Sequence, residues 1–273
     1  MSDNWSRTHQ ALLLEARDGH KEVNLRTGQV VRVLEGQQAF NIDLQGALLP
    51  VPGNRVYRPR VAAAEFAWML SGEKSIHWLA KHCGIWNQFA VDGQVTSAYG
   101  YRWRHAFGRD QLVLAAEALQ DNPSDRQVVL MAWDPREDGL GEGLHMNVPC
   151  PTQVVLNVVN GRLHGTVAIR SSDLFVGLPY DVMVYSMLLV SMAYELNLEP
   201  GILGFSIAHA HLYEEHVVDV IHHHHHPVFM PTMPTWPISG ILASPDAYVA
   251  EVEKHSSAWE SPTDWDPRPE VFT

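Results

Sequence analysis

The dipeptide Asn160-Gly161 is the feature that most restricts how this chain can fold. It separates two runs of apolar or alternating residues, 154–159 and 163–169. Asn-Gly suits the two central positions of a tight hairpin turn, because both residues tolerate a positive φ. The sequence therefore predicts two antiparallel strands, with Cys150 just before the first strand and Arg170 at the end of the second.

The remaining periodicity predicts helices and strands along the whole chain. The predicted helices cover residues 8–22, 61–70, 75–82, 110–119 and 182–196, and the predicted strands cover 28–42, 128–133, 154–159, 163–169 and 205–213. Residues 99–104 are predicted to form a loop, and the Pro-, Trp- and Ser-rich tail after residue 227 is predicted to be mostly irregular. With no internal repeat or clear linker, residues 1–273 are expected to form a single α+β domain, least regular over 217–273.

Composition excludes several classes of protein. A hydrophobic content of 46% allows a large core, and a formal net charge of -12 argues against polymeric nucleic acid as a partner. The polar start of the chain argues against a signal peptide, and the longest apolar run, 182–193, is too short and too interrupted to span a membrane. The sequence thus predicts a soluble cytoplasmic protein, and its two cysteines do not suggest a disulfide framework.

Cys150 stands between two prolines and is the candidate nucleophile. The thiolate is the reactive form of cysteine, and a nearby cation stabilises it. Arg170, at the end of the paired strand, can supply that charge. The alternative is a small buried cysteine with a structural role, which is the more common fate of this residue type.

Other side chains are candidates for the same site, each with a simpler alternative. Arg170-Ser171 offers a guanidinium and a hydroxyl to phosphate oxygens, or a salt bridge at a strand end. Glu65, on an apolar helix, is expected to be partly buried with a raised pKa that suits proton transfer, or to be a salt-bridge partner. Asp181 precedes an apolar run, where its carboxylate can cap a helix or accept a hydrogen bond from the exocyclic amine of cytosine.

A five-histidine tract at residues 222–226 precedes Pro227. Such a tract is typical either of a metal site or of an exposed polar helix end. Because no cysteine or carboxylate constellation accompanies it, we predict no metal site.

Taken together, the motifs resemble the thymidylate synthase family over about residues 24–216. They match the family in order along the chain, which is more specific than any single motif. The matching segments are Arg26-Thr27-Gly28, Glu65 with Trp68 and Gly72, Ile85-Trp86, Tyr99-Gly100 with Trp103-Arg104, Asp125-Arg126, Ala132-Trp133, Pro149-Cys150, Arg170-Ser171 with Asp173, Gly177-Leu178-Pro179, and His211-Leu212-Tyr213 with His216. The resemblance implies a thymidylate synthase-like domain, a mixed β-sheet flanked by helices, with one sheet face forming a homodimer interface.

The resemblance also implies a role for each matching residue. It makes Cys150 the nucleophile that adds to C6 of a pyrimidine nucleotide, with Glu65 and Tyr99 in proton transfer, and 5,10-methylenetetrahydrofolate the co-substrate. The implied nucleotide ligands are Arg26, Arg170, Ser171, Asp181, His211, Tyr213 and, from the other subunit of a homodimer, Arg126. The implied folate contacts are Ile85, Trp86, Asp173, Gly177 and Tyr180.

Several residues depart from the family pattern, and Asp181 is the most informative. Family members that use dUMP have asparagine there, whereas aspartate marks the branch that uses dCMP, the deoxycytidylate hydroxymethylases of phages and related nucleoside-antibiotic enzymes. Asn147, where the family places an apolar residue, is expected to hold water near the exocyclic methylene. Other departures are Pro151, Gln127, His209 and Phe89.

The sequence therefore predicts a deoxycytidylate 5-hydroxymethyltransferase in the cytoplasm of a bacterium or a phage-infected cell. Addition of water to the exocyclic methylene gives 5-hydroxymethyl-dCMP, whereas hydride transfer gives a 5-methyl nucleotide and dihydrofolate. Three alternatives stay open: reductive methylation of dCMP or dUMP, CMP as the substrate, and a non-catalytic relative that binds a nucleotide or RNA.

Overall fold

The computed structural model describes residues 4–25, 27–140, 148–222 and 231–257. The helices are α1 Asn4–Arg17, α2 Pro59–Ser71, α3 Tyr99–Tyr101, α4 Gln111–Asp121, α5 Gly177–Glu195, α6 Val217–His222, α7 Ile238–Ala243 and α8 Pro245–Ser257. The strands are β1 His20–Val23, β2 Val30–Val33, β3 Gln38–Asp43, β4 Val129–Met131, β5 Pro151–Val159, β6 Arg162–Ile169, β7 Ser172–Asp173, β8 Glu199–Ile207 and β9 Ala210–Tyr213. Within these ranges no helix is long and apolar enough to cross a membrane.

The strands form two mixed sheets. The larger has the order β3-β8-β6-β5-β4, and the smaller has the order β1-β2-β9-β7. In each sheet one pair is parallel, β6 with β8 and β7 with β9, and the other pairs are antiparallel. The predicted α+β architecture with a mixed sheet flanked by helices is confirmed.

The predicted hairpin is confirmed as the connection between β5 and β6. Val159 pairs with Arg162, and Pro151 pairs with Ile169 at the other end. The two turn residues have positive φ, 51° at Asn160 and 73° at Gly161. The turn therefore sets the register that brings the residues before β5 beside those after β6.

Helix α5 forms the centre of the hydrophobic core. Most of its side chains are buried on every face, as expected for a helix enclosed by other elements. It packs against β6 and β8 of the larger sheet and against α2. Gly165 of β6 permits the close approach to the sheet, because a Cβ there would lie 3.2 Å from Leu189 Cδ1.

The first part of the chain and residues 205–213 contain more and shorter helices and strands than predicted. Helix α1 begins and ends earlier than the predicted 8–22 helix, and β1 takes over from residue 20. The predicted strands 28–42 and 205–213 are each two strands, because turns follow β2 and β8. The predicted 75–82 helix was wrong, since only the single 3-10 turn Leu79–Lys81 forms there.

Two predictions of irregular structure were also wrong. Residues 99–104 are helical, in α3 and the π-helical turn Arg102–Ala106 that follows it. After residue 227 the described part of the chain contains α7 and α8, which bury Tyr248 against Phe66 of α2. In both cases tertiary packing stabilises helices whose local sequence is rich in residues of low helix propensity.

Candidate active site

The β5–β6 hairpin brings Arg170 into contact with Cys150. The backbone N–H of Arg170 donates to the carbonyl oxygen of Cys150 at 2.9 Å. Its Nη2 lies 3.7 Å from Cys150 Sγ and donates to the carbonyl oxygen of Val148 at 2.9 Å, while Nε donates to that of Pro149 at 2.8 Å. The guanidinium thus fixes the loop that presents the half-buried thiol and places a positive charge beside it.

Helix α2 contributes Glu65 to this region. Trp86 Nε1 donates to Glu65 Oε1 at 2.8 Å, and Trp86 itself is only 7% exposed. Burial raises the pKa of Glu65 to about 7, although the bond from Trp86 acts in the opposite direction. A carboxyl that is about half protonated near neutral pH can both donate and accept a proton.

Tyr99 joins the backbone of Cys150 to the side chains around Glu65. It forms a hydrogen bond with the backbone of Cys150, and its ring meets the Trp86 ring edge-on at 5.5 Å between centroids. Burial raises the pKa of Tyr99 well above its ordinary value, and the charges of Cys150 and Asp181 add to this effect. Tyr99 therefore stays protonated at neutral pH and remains a hydrogen-bond donor.

Asp181 lies near Tyr99, as Glu65 and Cys150 do, but it does not start a helix. Helix α5 begins four residues earlier, at Gly177. Its first turn is organised by Asp173, whose Oδ1 accepts from the N–H of Phe175 at 2.9 Å and of Val176 at 3.2 Å. The interpretation of Asp181 as a helix cap was wrong, which removes the structural reason for an aspartate at this position.

The carboxyl of Asp181 is held in an unfavourable environment for a charge. Part of the residue is accessible, yet protein atoms surround the carboxyl closely enough to raise its pKa well above the ordinary value. The charges of Glu65 and Asp173 raise the pKa of Asp181 further. Such a group is stabilised by a ligand that supplies hydrogen-bond donors.

The described residues that were predicted to bind the sugar and phosphate lie in three places. His211 and Tyr213 are buried on β9, with ring centroids 5.5 Å apart, and Asp173 of β7 pairs with His211. Half-buried Ser171 follows Arg170 at the end of the hairpin. Arg126 is exposed on the loop before β4. Arg26 and Asn147 lie outside the described residues, as do residues 223–226 of the histidine tract.

The predicted folate contacts lie near Trp86 and the first turn of α5. Ile85 is half-buried, and Tyr180 packs its ring against Tyr57 with centroids 6.1 Å apart. At Gly177 a Cβ would meet only Asp173 Cβ, at 3.9 Å. Apolar ring surfaces beside one half-buried carboxylate fit a flat heterocycle that carries N–H donors.

Two further residues in this region were not predicted to belong to the site. Tyr185, one turn after Asp181, is 2% exposed, and its pKa is raised by burial and then by the charges of Asp181, Tyr99, Glu65 and Cys150. Cys83 lies near Glu65, and burial raises its pKa to about 12. Cys83 is therefore protonated and is a poor nucleophile compared with a thiol beside a guanidinium.

Two clefts on the described part of the chain do not coincide with this group of side chains. A cleft of about 550 Å³ is lined by residues of α4 and β4 with Trp133, and one of about 330 Å³ lies between the end of α2 and the start of α8. Neither is lined by Cys150 or Asp181. In the described parts of the chain no group of three or more His, Cys, Asp or Glu residues is placed to hold a metal ion.

The sequence of this chain is similar to that of a known protein family. A model of the family described as thymidylate synthase matches residues 10–238. The chain belongs to the thymidylate synthase family. Three thymidylate synthases of Francisella tularensis subsp. holarctica, from strains FTNF002-00 / FTA, OSU18 and LVS, are each 31% identical over 210 residues, covering 72% of this chain and 76% of theirs.

Membership of the thymidylate synthase family gives the site its general chemistry. The chain is a one-carbon transferase that acts on a nucleotide, and the family binds a nucleoside monophosphate with methylenetetrahydrofolate as co-substrate. The aromatic and carboxylate groups near Gly177 fit the heterocycle of such a folate, which supplies the one-carbon unit when bound. The choice of base and of product depends on individual side chains.

Replacing Glu65 by glutamine is expected to lower kcat by about 10²–10⁴-fold, the usual contribution of a general acid–base group. It should also change how stability depends on pH. The pKa of Glu65 is about 7 in the folded protein, above the ordinary 4.5, so the folded state retains a proton that the unfolded state loses. The free energy of unfolding of the wild type should therefore fall as the pH rises from about 4.5 to about 7.

Urea unfolding of the wild type and Glu65→Gln at about pH 5 and pH 8 measures this difference. The variant should lack the part of the pH dependence that Glu65 causes. Glu73→Gln, at an exposed position just after α2, is the matched control and should behave as the wild type. An identical pH dependence in wild type and Glu65→Gln would contradict the buried, proton-retaining state of this carboxyl.

Proposed function

We propose that this member of the thymidylate synthase family transfers a one-carbon unit from 5,10-methylenetetrahydrofolate to C5 of dCMP. Cys150 adds to C6 of the pyrimidine, Glu65 and Tyr99 move and hold protons, and water completes the reaction to give 5-hydroxymethyl-dCMP. The observation that most supports the choice of base is Asp181, whose carboxyl shares the region of Glu65, Tyr99 and Cys150 and has no role as a helix cap.

The choice of base follows from the hydrogen bonds that each form of Asp181 can make. Cytosine presents an acceptor at N3 and a donor amine at C4, so it pairs with a protonated carboxyl through both oxygens and with a carboxylate through the amine. Uracil presents N3–H and O4, so O4 can be satisfied only by the protonated form. The carboxylate also accepts from N3–H of uracil and leaves N3 of cytosine unpaired. The proposed preference for dCMP therefore rests on the contact with the C4 substituent, where a carboxylate accepts from the amine of cytosine and repels O4 of uracil.

The choice of product depends on whether water or hydride reaches the exocyclic methylene. Asn147, a polar residue three positions before Cys150, and the carboxyls of Glu65 and Asp181 favour an ordered water in this region. Reductive methylation is the second candidate, and it is supported by the similar proteins, which are thymidylate synthases.

Incubation with dCMP and methylenetetrahydrofolate, followed by mass analysis of the nucleotide, tests the proposal. The proposal expects a gain of one CH₂O unit. A gain of CH₂ would instead support reductive methylation, and product from dUMP but not dCMP would contradict the role of Asp181. Product from CMP at an equal rate would remove the preference for a deoxy sugar, while nucleotide binding without any product would support a non-catalytic relative.

We also propose that the enzyme is a homodimer in which Arg126 reaches the phosphate of the partner's site. One face of the larger sheet packs against α5, and its other face carries exposed or half-buried residues in register. One such row runs Val129, Val155, Thr166, Gly204, Asn41, in which only Gly204 is buried. A broad sheet face of this mixed polarity is suited to pair with a second copy.

Mixing two inactive variants, Arg126→Ala and Cys150→Ala, is expected to restore activity. In a mixed dimer one site has both a thiol and a partner arginine, so about a quarter of wild-type activity should return after subunit exchange. Activity of the mixture is measured against each variant alone. If the mixture stays as inactive as its components while mixed dimers are detected by native mass spectrometry, Arg126 does not act across the interface.

A further inference from the structure

His9 is a fully buried histidine on α1, a helix that contributes none of the predicted site residues. Its Nε2 lies 2.8 Å from the carbonyl oxygen of Leu174, and because a carbonyl can only accept, Nε2 carries the ring proton and donates it. Burial lowers the pKa of His9 to about 4, so at neutral pH the imidazole is neutral and has one N–H to donate. That single donor is committed to the backbone of a distant part of the chain.

A histidine is an unfavourable choice for this position unless its donor is needed. The other ring nitrogen, Nδ1, is also buried, and it has no hydrogen-bond partner among the described residues. An apolar ring would pack against Trp5, whose ring centroid lies 5.2 Å from that of His9, without leaving a buried nitrogen unpaired. What the histidine adds is the hydrogen bond to Leu174.

Leu174, Phe175 and Val176 form the turn between β7 and α5. The N–H of Leu174 donates to a carbonyl oxygen of β9 at 2.8 Å. The next two N–H groups of the turn donate to Oδ1 of Asp173, at 2.9 and 3.2 Å. His9 therefore holds the first carbonyl group of a turn whose other hydrogen bonds end on the Asp173 carboxyl.

Arg55, in the segment before α2, holds the next carbonyl group of the β7–α5 turn. It is 3% exposed, and its Nη2 donates to the carbonyl oxygen of Phe175 at 3.1 Å. The guanidinium also lies over the Tyr57 ring, 4.2 Å from its centroid. Two successive carbonyl groups of the turn are thus bound by buried side chains that come from separate parts of the chain.

We infer that His9 positions the carboxyl of Asp173 for the folate co-substrate, by fixing the β7–α5 turn through its hydrogen bond to Leu174. This inference rests on the proposed function, because it takes Asp173 and Gly177 as folate contacts. His9 is a positioning residue, since it acts through Asp173. With Oδ1 of Asp173 engaged by two N–H groups of the turn, Oδ2 is the oxygen left to accept from the N–H donors of the folate heterocycle.

The hydrogen bond of His9 should matter more for the folate than for the nucleotide. The turn has Asp173 before it and Gly177 after it, so a displaced turn moves both predicted folate contacts. The predicted sugar ligand His211 is held separately, because it pairs with Val33 between β9 and β2. A misplacement of about 1 Å, caused far from the reacting atoms, can lower a rate by roughly a hundredfold.

Binding of tetrahydrofolate to the enzyme–dCMP complex tests the inference, because this folate carries no one-carbon unit and no turnover occurs. His9→Phe keeps a ring against Trp5 but has no N–H. Its Kd for tetrahydrofolate should rise by up to about tenfold, the effect of losing one hydrogen bond, while its Kd for dCMP alone should stay close to the wild-type value. His9→Gln, whose amide can donate to Leu174, should recover most of the folate affinity.

Further variants separate this role from a loss of packing. Leu13→Ala removes a fully buried side chain of α1, and it should lower stability without changing the folate affinity of the folded enzyme. In an Asp173→Ala background, His9→Phe should cause no further loss of folate affinity, since it acts through Asp173. His9→Leu, which has a higher helix propensity, takes the place of His9→Phe if that variant does not fold.

The inference is overturned by an unchanged folate affinity in His9→Phe, or by an equal loss of affinity for dCMP and folate. It is also overturned if Leu13→Ala loses as much folate affinity as His9→Phe, or if His9→Phe causes the same loss in the Asp173→Ala background. The proposed function fails separately. An enzyme that methylates dUMP uses the same folate, so the effect of His9→Phe would then persist in the complex with dUMP.

Discussion

Replacing Cys150 by alanine is expected to lower turnover by at least about a thousandfold, since in the proposed reaction every chemical step depends on the bond between Sγ and C6 of the nucleotide. The structure places Arg170 Nη2 3.7 Å from this sulfur, where it favours the thiolate. Nucleotide binding should persist, because the proposed ligands of the phosphate and the base are other side chains. Product formation measures the first effect, and equilibrium binding of dCMP measures the second.

The matched control is the second cysteine. Cys83 lies near Glu65, and burial raises its pKa to about 12, so it is a protonated thiol at working pH. Cys83→Ala should stay within a few-fold of wild-type activity, as expected for a small change outside the reacting atoms. A Cys150→Ala enzyme that keeps substantial turnover, or a Cys83→Ala enzyme that loses it, would contradict the assignment of the nucleophile.

Replacing Asp181 by asparagine is expected to move the preference from dCMP toward dUMP by roughly 5- to 150-fold. This range corresponds to about 1–3 kcal/mol for one good two-point contact with a base. An amide can accept from N3–H of uracil and donate to O4, whereas a carboxylate cannot donate. The measurement is the ratio of kcat/KM for the two nucleotides between about pH 6 and pH 9.

The pH dependence separates this explanation from a general effect of the substitution. In the wild type the ratio should change with pH as Asp181 ionises, and burial raises the pKa of this carboxyl above its ordinary value. In Asp181→Asn the ratio should not change with pH. Glu73→Gln, which changes an exposed carboxyl just after α2, is the matched control, and its base preference should stay that of the wild type.

The parts of the fold that were predictable from sequence depend on local chemistry. Asn160-Gly161 determined the β5–β6 hairpin, and the hairpin in turn placed Arg170 beside Cys150. The parts that were not predictable depend on distant contacts. Residues 99–104 are helical where they pack against α2, and Gly100 is required there because a Cβ would lie 1.8 Å from the carbonyl oxygen of Met69.

Some residues of the candidate site could be predicted from the sequence, whereas the positions of others became clear only in the folded structure. A lone carboxyl on an apolar helix indicated Glu65, and its burial and raised pKa agree with that interpretation. Asp181 seemed able to cap a helix because the true start of α5 depends on Asp173, a turn that apolar periodicity does not reveal. The sequence places Tyr185 in the apolar run of α5. Only the folded structure shows that its buried hydroxyl has no hydrogen-bond partner among the described residues.

The roles of the site residues come from the family resemblance more than from spacing. Sequence chemistry alone proposed a nucleophile, an anion site and a carboxyl near a base. The order of the motifs, and the family match over residues 10–238, connected these to one-carbon transfer. Among the departures from the family pattern, Asp181 lies near Glu65, Tyr99 and Cys150 in the described part of the chain.

Release of tritium from C5 of the nucleotide tests the central claim most directly, because it requires both the thiol adduct at C6 and attack by C5 on the one-carbon unit. The wild type with methylenetetrahydrofolate should release tritium from [5-³H]dCMP faster than from [5-³H]dUMP, and Cys150→Ala should release none. Release from dUMP alone, or release from dCMP that persists in Cys150→Ala, would contradict the account.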